Sequence, residues 1–219
     1  MKKVIIFGTG EIGAIAHYYF THDSEYIIEA FTVDDDFFKE EIYCDLPVIK
    51  FSEIEKVYPP EYFDMFIALS YSGLNTLREN KYLQSKEKGY TLVSYISSKA
   101  TVWPDLLHGD NCFILENNTI QPFAKIGNNV TLWSGNHIGH HSEIGNNCFI
   151  TSHVVISGGV KVDNNCFIGV NSTIRDHVHI GKSSIIGAGA WINKNTHDGE
   201  VYISKPTPHY NISINDIKI

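Results

Sequence analysis

From residue 114 to residue 192 an aliphatic side chain recurs at every sixth position: Ile114, Ile120, Ile126, Leu132, Ile138, Ile144, Ile150, Ile156, Val162, Ile168, Ile174, Ile180, Ile186 and Ile192. A helix repeats its buried face about every 3.6 residues and a strand every two, so a sustained period of six demands a short strand plus a turn, reiterated. Three such hexads close one turn of a triangular prism. Two positions before the aliphatic the residue is usually small, as at Cys112, Ala124, Ser142, Cys148, Cys166, Ser172, Ser184 and Ala190, which suits the narrow inner corners of a coil. Glycine follows the aliphatic at Gly127, Gly139, Gly145, Gly169, Gly181 and Gly187, and Asn-Asn pairs stand at 128–129, 146–147 and 164–165. Both features suit tight turns that need a positive φ. The pattern predicts a left-handed parallel β-helix of hexapeptide repeats.

Ahead of the repeat the periodicity changes. Residues 4–7 read as a buried strand, Gly8-Thr9-Gly10-Glu11-Ile12-Gly13 as a G-x-G-x-x-G turn, and 14–20 as a helix. A second strand over 26–33 ends at Asp34-Asp35-Asp36, which makes a βαβ unit with acidic groups where a ribose hydroxyl can be met. Further strands fit 47–51, 65–69 and 91–95, with helices near 52–58 and 73–88, an alternation that predicts a small parallel α/β sheet of Rossmann-like type. The expected division is 1–95 for this domain, 96–198 for the β-helix, and 199–219 for a C-terminal cap or tail that folds back over the open end, with Trp191 packed beneath it.

The α/β part is too short for two mononucleotide halves and a catalytic domain, so it suits one nucleotide better than a dinucleotide. Backbone N–H groups of the glycine turn and helix N-terminus would hold a phosphate, and Asp34 or Asp35 would accept from hydroxyls or from a substrate amine. Glu11 is unfavourable beside a phosphate and is expected to face a sugar instead. The plain alternative for the Asp run is a solvated turn after a strand.

Composition narrows the field. The 219 residues carry a net charge of −8 with no basic run, which argues against nucleic-acid binding, since that rests on Lys and Arg neutralising phosphates. Met-Lys-Lys leads straight into the first strand, with no signal-type apolar stretch and no membrane span, so a cytoplasmic protein without a membrane partner is expected. Three of the four cysteines, Cys112, Cys148 and Cys166, fall in the small-residue register of the repeat and read as buried thiols, not disulfides or a zinc site.

The candidate chemistry lies in the repeat. His137, His140 and His141 cluster in one hexad pair, and His153 follows. His140 stands two residues after an aliphatic and so belongs to the outer side of a turn. At eighteen residues per coil the residue stacked on it is Gly158, where a missing side chain lets a backbone N–H approach a thioester carbonyl. Acetyl transfer from coenzyme A to an amine or hydroxyl needs a base for the acceptor's proton and a donor for the developing oxyanion, and His140 and Gly158 fit those roles. For His137 and His141 the plain reading is a surface histidine in a turn.

With these residues in view, the chain resembles the two-domain bacterial nucleotide-sugar acyltransferases, the sialic acid O-acetyltransferase-like group that includes UDP- and dTDP-4-amino-4,6-dideoxysugar N-acetyltransferases. The resemblance rests on residues 4–13, the Asp34-Asp35 strand end, the run Thr91-Leu92-Val93-Ser94-Tyr95-Ile96 entering the coils, and Gly139-His140 placed before Ile144-Gly145. It implies an acetyl-CoA-dependent transferase, without a metal, that acts on the amino group of a nucleotide-linked sugar, works as a homotrimer with acetyl-CoA between two subunits, and serves polysaccharide or glycan biosynthesis. It further implies His140 as general base and Gly158 as oxyanion donor, Val170 and Ala188 along the coenzyme A path, and Gly10, Glu11, Ile12, Asp34, Asp35 and Ser70 at the nucleotide sugar. Where many members follow the histidine with Asp or Glu this chain has His141, so His141 or Glu143 is expected to tune His140. Another position that touches the cofactor in the family holds Phe149, with His153 as its expected substitute.

Three rivals stay open. The nearest is O-acetylation of a sugar by the same fold. A γ-carbonic-anhydrase-like trimer would hold zinc on histidines, which requires three converging imidazoles. A non-catalytic sugar-binding scaffold would use the coils only to trimerise.

Overall fold

In the computed structural model, residues 2–209 are described. The first half forms strand β1 (Lys3–Phe7), helix α1 (Glu11–His22), β2 (Ile27–Val33), a short 3-10 turn (Asp35–Phe37), β3 (Ile42–Tyr43), β4 (Leu46–Lys50), α2 (Ile54–Val57), β5 (Asp64–Ile67) and α3 (Thr76–Glu87). The sheet order is β3-β4-β2-β1-β5. Neighbours run parallel except for β3 against β4, so the expected all-parallel sheet carries an antiparallel edge. Its hairpin turn is Cys44-Asp45, both left-handed with φ of 48° and 62°, a two-residue turn without the Asn-Gly or Asp-Gly signal that would betray it in sequence.

The segment expected as a strand at 91–95 does something different. Leu92 makes an isolated bridge to Met65, and the chain then forms Tyr95–Ile96, which pairs with Phe113–Ile114 in the coils. This stretch therefore ties the two halves together.

From there the chain winds into stacked two-residue strands in three parallel sheets, each paired to the strand eighteen residues on, as in His137↔Val155 and Val155↔Thr173. All fourteen aliphatics of the six-residue period, from Ile114 to Ile192, are buried in one core. The small residues from Cys112 to Ala190 are buried with them. Such burial supplies most of the driving force, about 25 cal/mol per Å² of apolar surface removed from water.

The corners correct one detail of the sequence reading. The glycines directly after the aliphatics do not take a positive φ. A Cβ on Gly139 would lie 2.5 Å from the Gly158 nitrogen, so that position is small because the next coil approaches closely. The left-handed residue comes two positions later, at Asn129, His141, Asn147, His153, Asn165 and His177, with φ between 56° and 62°. Asn and His are among the non-glycine residues that tolerate this region best.

Of the expected tail, residues 199–209 are described, and 210–219 lie outside the described residues. Val201–Tyr202 pairs in parallel with Ile185–Ile186, adding one more strand to the prism instead of folding back over its end. Trp191 accordingly stands 67% exposed and is not covered by the described part of the tail.

One prism face, whose outward positions are Tyr95, Phe113, Thr131, Phe149 and Phe167, receives the α/β domain. At one end of this joint the Asp23 carboxylate accepts from Tyr95 Oη (2.5 Å), Ser97 Oγ (3.0 Å) and the Ser98 N–H (3.0 Å). Burial raises its pKa, but the bonds from Ser98, Tyr95 and Ser97 outweigh that and hold it down at about 2. A carboxyl depressed in the folded state stabilises above the ordinary carboxylate range and loses that contribution as pH falls through its folded value. Asp23→Asn is therefore expected to lower the urea midpoint at neutral pH, with the gap to wild type closing as the pH approaches about 2.

Candidate active site

His140 occupies the prism corner that follows the strand His137–Ile138, and its imidazole is exposed. The eighteen-residue register places Gly158 beside it: a Cβ on Gly158 would lie 2.7 Å from both Cε1 and Nε2 of His140. Only a glycine leaves the ring room. The main chain fixes the corner, because the His140 N–H donates to Gln121 Oε1 (2.9 Å) and the His140 carbonyl accepts from the Gly159 N–H (2.8 Å). Gly158 accepts at its carbonyl from the His177 N–H (3.0 Å), while its own N–H has no hydrogen-bond partner among the described residues. A glycine whose backbone N–H is unbonded among the described residues thus lies against an exposed imidazole.

His141 is the immediate neighbour of the ring. The two Nδ1 atoms are 3.1 Å apart, so one imidazole donates and the other accepts. The rings stand nearly perpendicular, at 85°, and Phe123 packs against His141 with centroids 4.7 Å apart. Glu143, the other expected tuner, is elsewhere: its carboxylate holds Lys125 at 2.9 Å on the charged face, and Lys125 lowers its pKa. The structure therefore brings His141, not Glu143, to His140.

The expected cofactor positions fall on the next corner. Val170 and Ala188 stack there, both exposed, eighteen residues apart in the column that also holds Ser134 and Ser152. His153 shares that corner as its left-handed residue and lies over Gly135. Phe149 is the exception. It is 2% exposed, shut inside the joint against Phe167, Tyr71 and Trp133, where no ligand reaches it. His137 projects from a face, His140 and His141 from one corner and His153 from another. Among the described residues no three His, Cys, Asp or Glu side chains are grouped to hold a metal.

The α/β domain opens a cleft of about 590 Å³ at the C-terminal ends of β1, β2 and β5, where ligands of open α/β sheets bind. Gly10, Glu11, Ile12, Asp34 and Ser70 all line it. In the glycine turn, Gly8 has φ +114° and a Cβ there would meet the Ala68 carbonyl at 2.8 Å, so the fold itself requires this glycine. Among the described residues nothing lies within 4 Å of a Cβ on Gly10, so packing does not require that one. Its bareness leaves backbone open to the cleft, beside the first-turn N–H groups of α1.

Both expected aspartates are already engaged. Asp34 pairs with Lys81 at 2.6 Å. Asp35 does not line the cleft; it accepts from Ser52 Oγ at 2.7 Å, and that bond lowers its pKa. Glu11 is exposed at the cleft and makes no salt bridge among the described residues. Of the acidic residues singled out, Glu11 is the one free to meet a ligand's cation.

Sequence reasoning missed the residues that orient cleft and coils. Helix α3 sets a polar stripe against the prism: Asn75 Nδ2 donates to the Cys166 carbonyl (3.2 Å), Glu79 accepts from Asn165 (2.7 Å) and Tyr82 donates to Asp110 (2.5 Å). Arg78, 1% exposed, lies at its centre, donating to Thr131 Oγ1 (2.5 Å), Asn75 Oδ1 (3.2 Å) and the carbonyls of Asn147 (3.1 Å) and Cys148 (3.2 Å), with its guanidinium 5.4 Å from the Phe149 ring centroid. The aromatic residues spaced by multiples of eighteen, Phe113, Phe149 and Phe167, are the signal available in sequence for this joint.

Comparison with known proteins agrees with this fold. The family model "Bacterial transferase hexapeptide (six repeats)" matches residues 107–139, 123–158 and 159–194. No curated protein matches the chain in sequence. Among solved structures, a histidine-to-asparagine variant of perosamine N-acetyltransferase from Caulobacter crescentus, in complex with CoA and GDP-perosamine, superposes with a TM-score of 0.84 at 21% identity, covering 93% of this chain and 94% of that one. The acetyltransferase domain of PglB from Neisseria gonorrhoeae, in complex with acetyl coenzyme A, gives 0.80 at 21% identity over 91% and 95% of the two chains. WeeI from Acinetobacter baumannii gives 0.79 at 18% identity over 94% and 98%. Residues 107–194 thus match a hexapeptide-repeat family model, and the α/β domain and β-helix of the chain share one fold with these solved structures.

Proposed function

We propose that this protein is an acetyl-CoA-dependent N-acetyltransferase that acts on the amino group of a nucleotide-linked 4-amino-4,6-dideoxysugar. One observation carries the reading: the exposed His140 imidazole lies against Gly158, whose N–H is unbonded among the described residues. Acyl transfer to an amine needs a base and an oxyanion donor side by side, and this corner holds one of each.

In the reaction His140 accepts the amine proton at Nε2 as nitrogen attacks the acetyl carbonyl. That role requires Nδ1 to carry a hydrogen, donated to Nδ1 of His141, whose own hydrogen then sits on Nε2. His141 thus fixes the tautomer, which a carboxylate would otherwise do, without adding negative charge. The Gly158 N–H receives the oxyanion, and His140 returns its proton to the departing thiolate. Acetyl-CoA supplies the acetyl group, with Val170, Ala188 and His153 along its path.

The nucleotide sugar belongs to the α/β cleft, with the phosphates at Gly10, Ile12 and the α1 N-terminus and the sugar toward Ser70. Glu11 is the group available to an ammonium, since Asp34 and Asp35 are engaged within the protein. The preference for an amine acceptor rests on this carboxylate and on the likeness to a perosamine N-acetyltransferase solved with CoA and GDP-perosamine. A homotrimer completes the arrangement. The α/β domain covers the prism face that includes Phe149–Ile150, whereas His140 lies on the corner between the other two faces. One chain therefore holds its cleft and its histidine apart, and a neighbour's cleft serves His140.

Titration with acetyl-CoA tests the reading: binding well below millimolar concentration is expected. Absence of binding at millimolar cofactor would reduce the coils to a scaffold and end the proposal.

A further inference from the structure

The cleft has a second chamber. A hollow of about 380 Å³ shares Thr9, Gly10 and Phe37 with the main cleft and continues toward the β3–β4 hairpin, where Lys39, Glu40 and Tyr43 line it. Tyr43 Oη donates to the Gly10 carbonyl at 3.2 Å, which pins the hairpin to the glycine turn. Burial, followed by Cys44, Glu11 and Glu40, pushes the Tyr43 phenol above its ordinary pKa, which places the Glu40 carboxylate near this chamber.

The two chambers meet at Gly10 and lead to opposite ends of the sheet. The main cleft reaches Ser70, Tyr71 and Ser72, and Tyr71 touches the prism aromatics Phe149 and Phe167 at 5.1 and 4.7 Å. The second chamber runs beside β3 and β4, at the edge of the sheet farthest from β5. A sugar nucleotide has three parts in line. With its phosphates at the shared glycine turn, sugar and base take opposite chambers. The histidine that the sugar meets belongs to a neighbour's prism, and the exposed Phe37 ring with Lys39 and Glu40 suits a base better than a sugar, so the hairpin chamber takes the base and the Ser70 end the sugar.

Resting on the nucleotide-sugar reading, we infer that this chamber is a nucleobase site in which Lys39 and Glu40 select guanine, so that the natural substrate is a guanosine-diphosphate-linked sugar. Phe37 stands 66% exposed on the 3-10 turn at the chamber's mouth and offers a face on which a base stacks. Neither Lys39 nor Glu40 makes a side-chain hydrogen bond or ion pair among the described residues. Guanine presents an acceptor at O6 and donors at N1 and N2, which an ammonium and a carboxylate satisfy together. Uracil and thymine have the O2 acceptor where guanine has the N2 amine, so the carboxylate's second oxygen faces another oxygen. Adenine reverses the donor and acceptor order.

Calorimetric titration of the full chain with GDP, UDP, dTDP and ADP decides the matter. GDP is expected to bind at least about tenfold more tightly than the others, as a good bidentate contact supplies, and Glu40→Gln is expected to bring GDP down to the level of UDP. Glu40 is exposed, so the variant should fold as wild type does. Equal affinity for UDP or dTDP, or a Glu40→Gln variant that keeps the GDP preference, overturns the assignment. Acetyl transfer to a UDP-linked aminosugar alongside weak GDP binding would sink the base assignment alone. GDP-selective binding with no transfer to any nucleotide-linked aminosugar would sink only the transferase reading.

Discussion

Replacing His140 by Asn is expected to leave the coils folded and to slow acetyl transfer at least about a hundredfold, within the range usual for a general base. The prism loses nothing by the change, since its core at this level is Ile138, Ile144 and Ser142, all buried, whereas His140 is exposed. The corner keeps its backbone bonds to Gln121 and Gly159, because both involve main-chain atoms of residue 140. What disappears is the Nε2 lone pair beside Gly158. His140→Ala should behave alike. The measurement is kcat at saturating acetyl-CoA and acceptor, with the melting temperature as a control for folding, and near-normal turnover would remove His140 from the mechanism.

The second large effect concerns stability. Arg78→Ala is expected to cost roughly 3–5 kcal/mol of unfolding free energy, because truncation leaves a cavity and strips several buried acceptors of their donor. The orphaned groups are Thr131 Oγ1 and the carbonyls of Asn147 and Cys148. Burial lowers the guanidinium pKa to about 10, so the group stays charged at neutral pH. A depressed basic group costs the folded state below its folded pKa, and the cost fades only as pH climbs from about 10 toward the ordinary 12.5. Among the described residues Arg78 has no carboxylate partner in its hydrogen bonds, and its Nε finds no acceptor. Arg78→Met removes that burdened charge and fills part of the space, so it should cost distinctly less than alanine. Denaturant unfolding compares the two, and an Arg78→Ala midpoint equal to wild type would show that the joint does not depend on this residue.

What the sequence disclosed and what it withheld follow from how local each signal is. The six-residue period is repeated through every coil, so the prism, its eighteen-residue register and the meeting of His140 with Gly158 are legible without a structure. The corner conformation is half legible: the second Asn of each pair, at 129, 147 and 165, takes the positive φ, and the glycine after the aliphatic does not. Glycine after the aliphatic reports the close passage of the next coil, as at Gly139, and the positive φ belongs to residues such as His141 and His153. The joint is the least legible part. Its polar stripe of Asn75, Arg78, Glu79 and Tyr82 resembles a solvated helix face until Asn165, Asp110 and the Cys148 carbonyl meet it from far along the chain. Asp34 and Asp35 mislead for the same reason. As a sequence motif they suit a ribose or an amine, but Lys81 and Ser52 reach them from distant segments. Phe149 fails as a cofactor residue because its outward position faces the α/β domain and not water.

The direct measurement of acetyl transfer is release of free coenzyme A thiol from acetyl-CoA in the presence of GDP-, UDP- and dTDP-linked 4-amino-4,6-dideoxysugars, each run beside its 4-hydroxy counterpart, with the acetylated atom identified by NMR. An N-acetyltransferase of this kind releases thiol and forms an N-acetyl product with an aminosugar, and does little with its hydroxy counterpart. Acetylation of the hydroxy sugars at equal rate, or no acetylation of any acceptor, would contradict the proposed N-acetyl transfer.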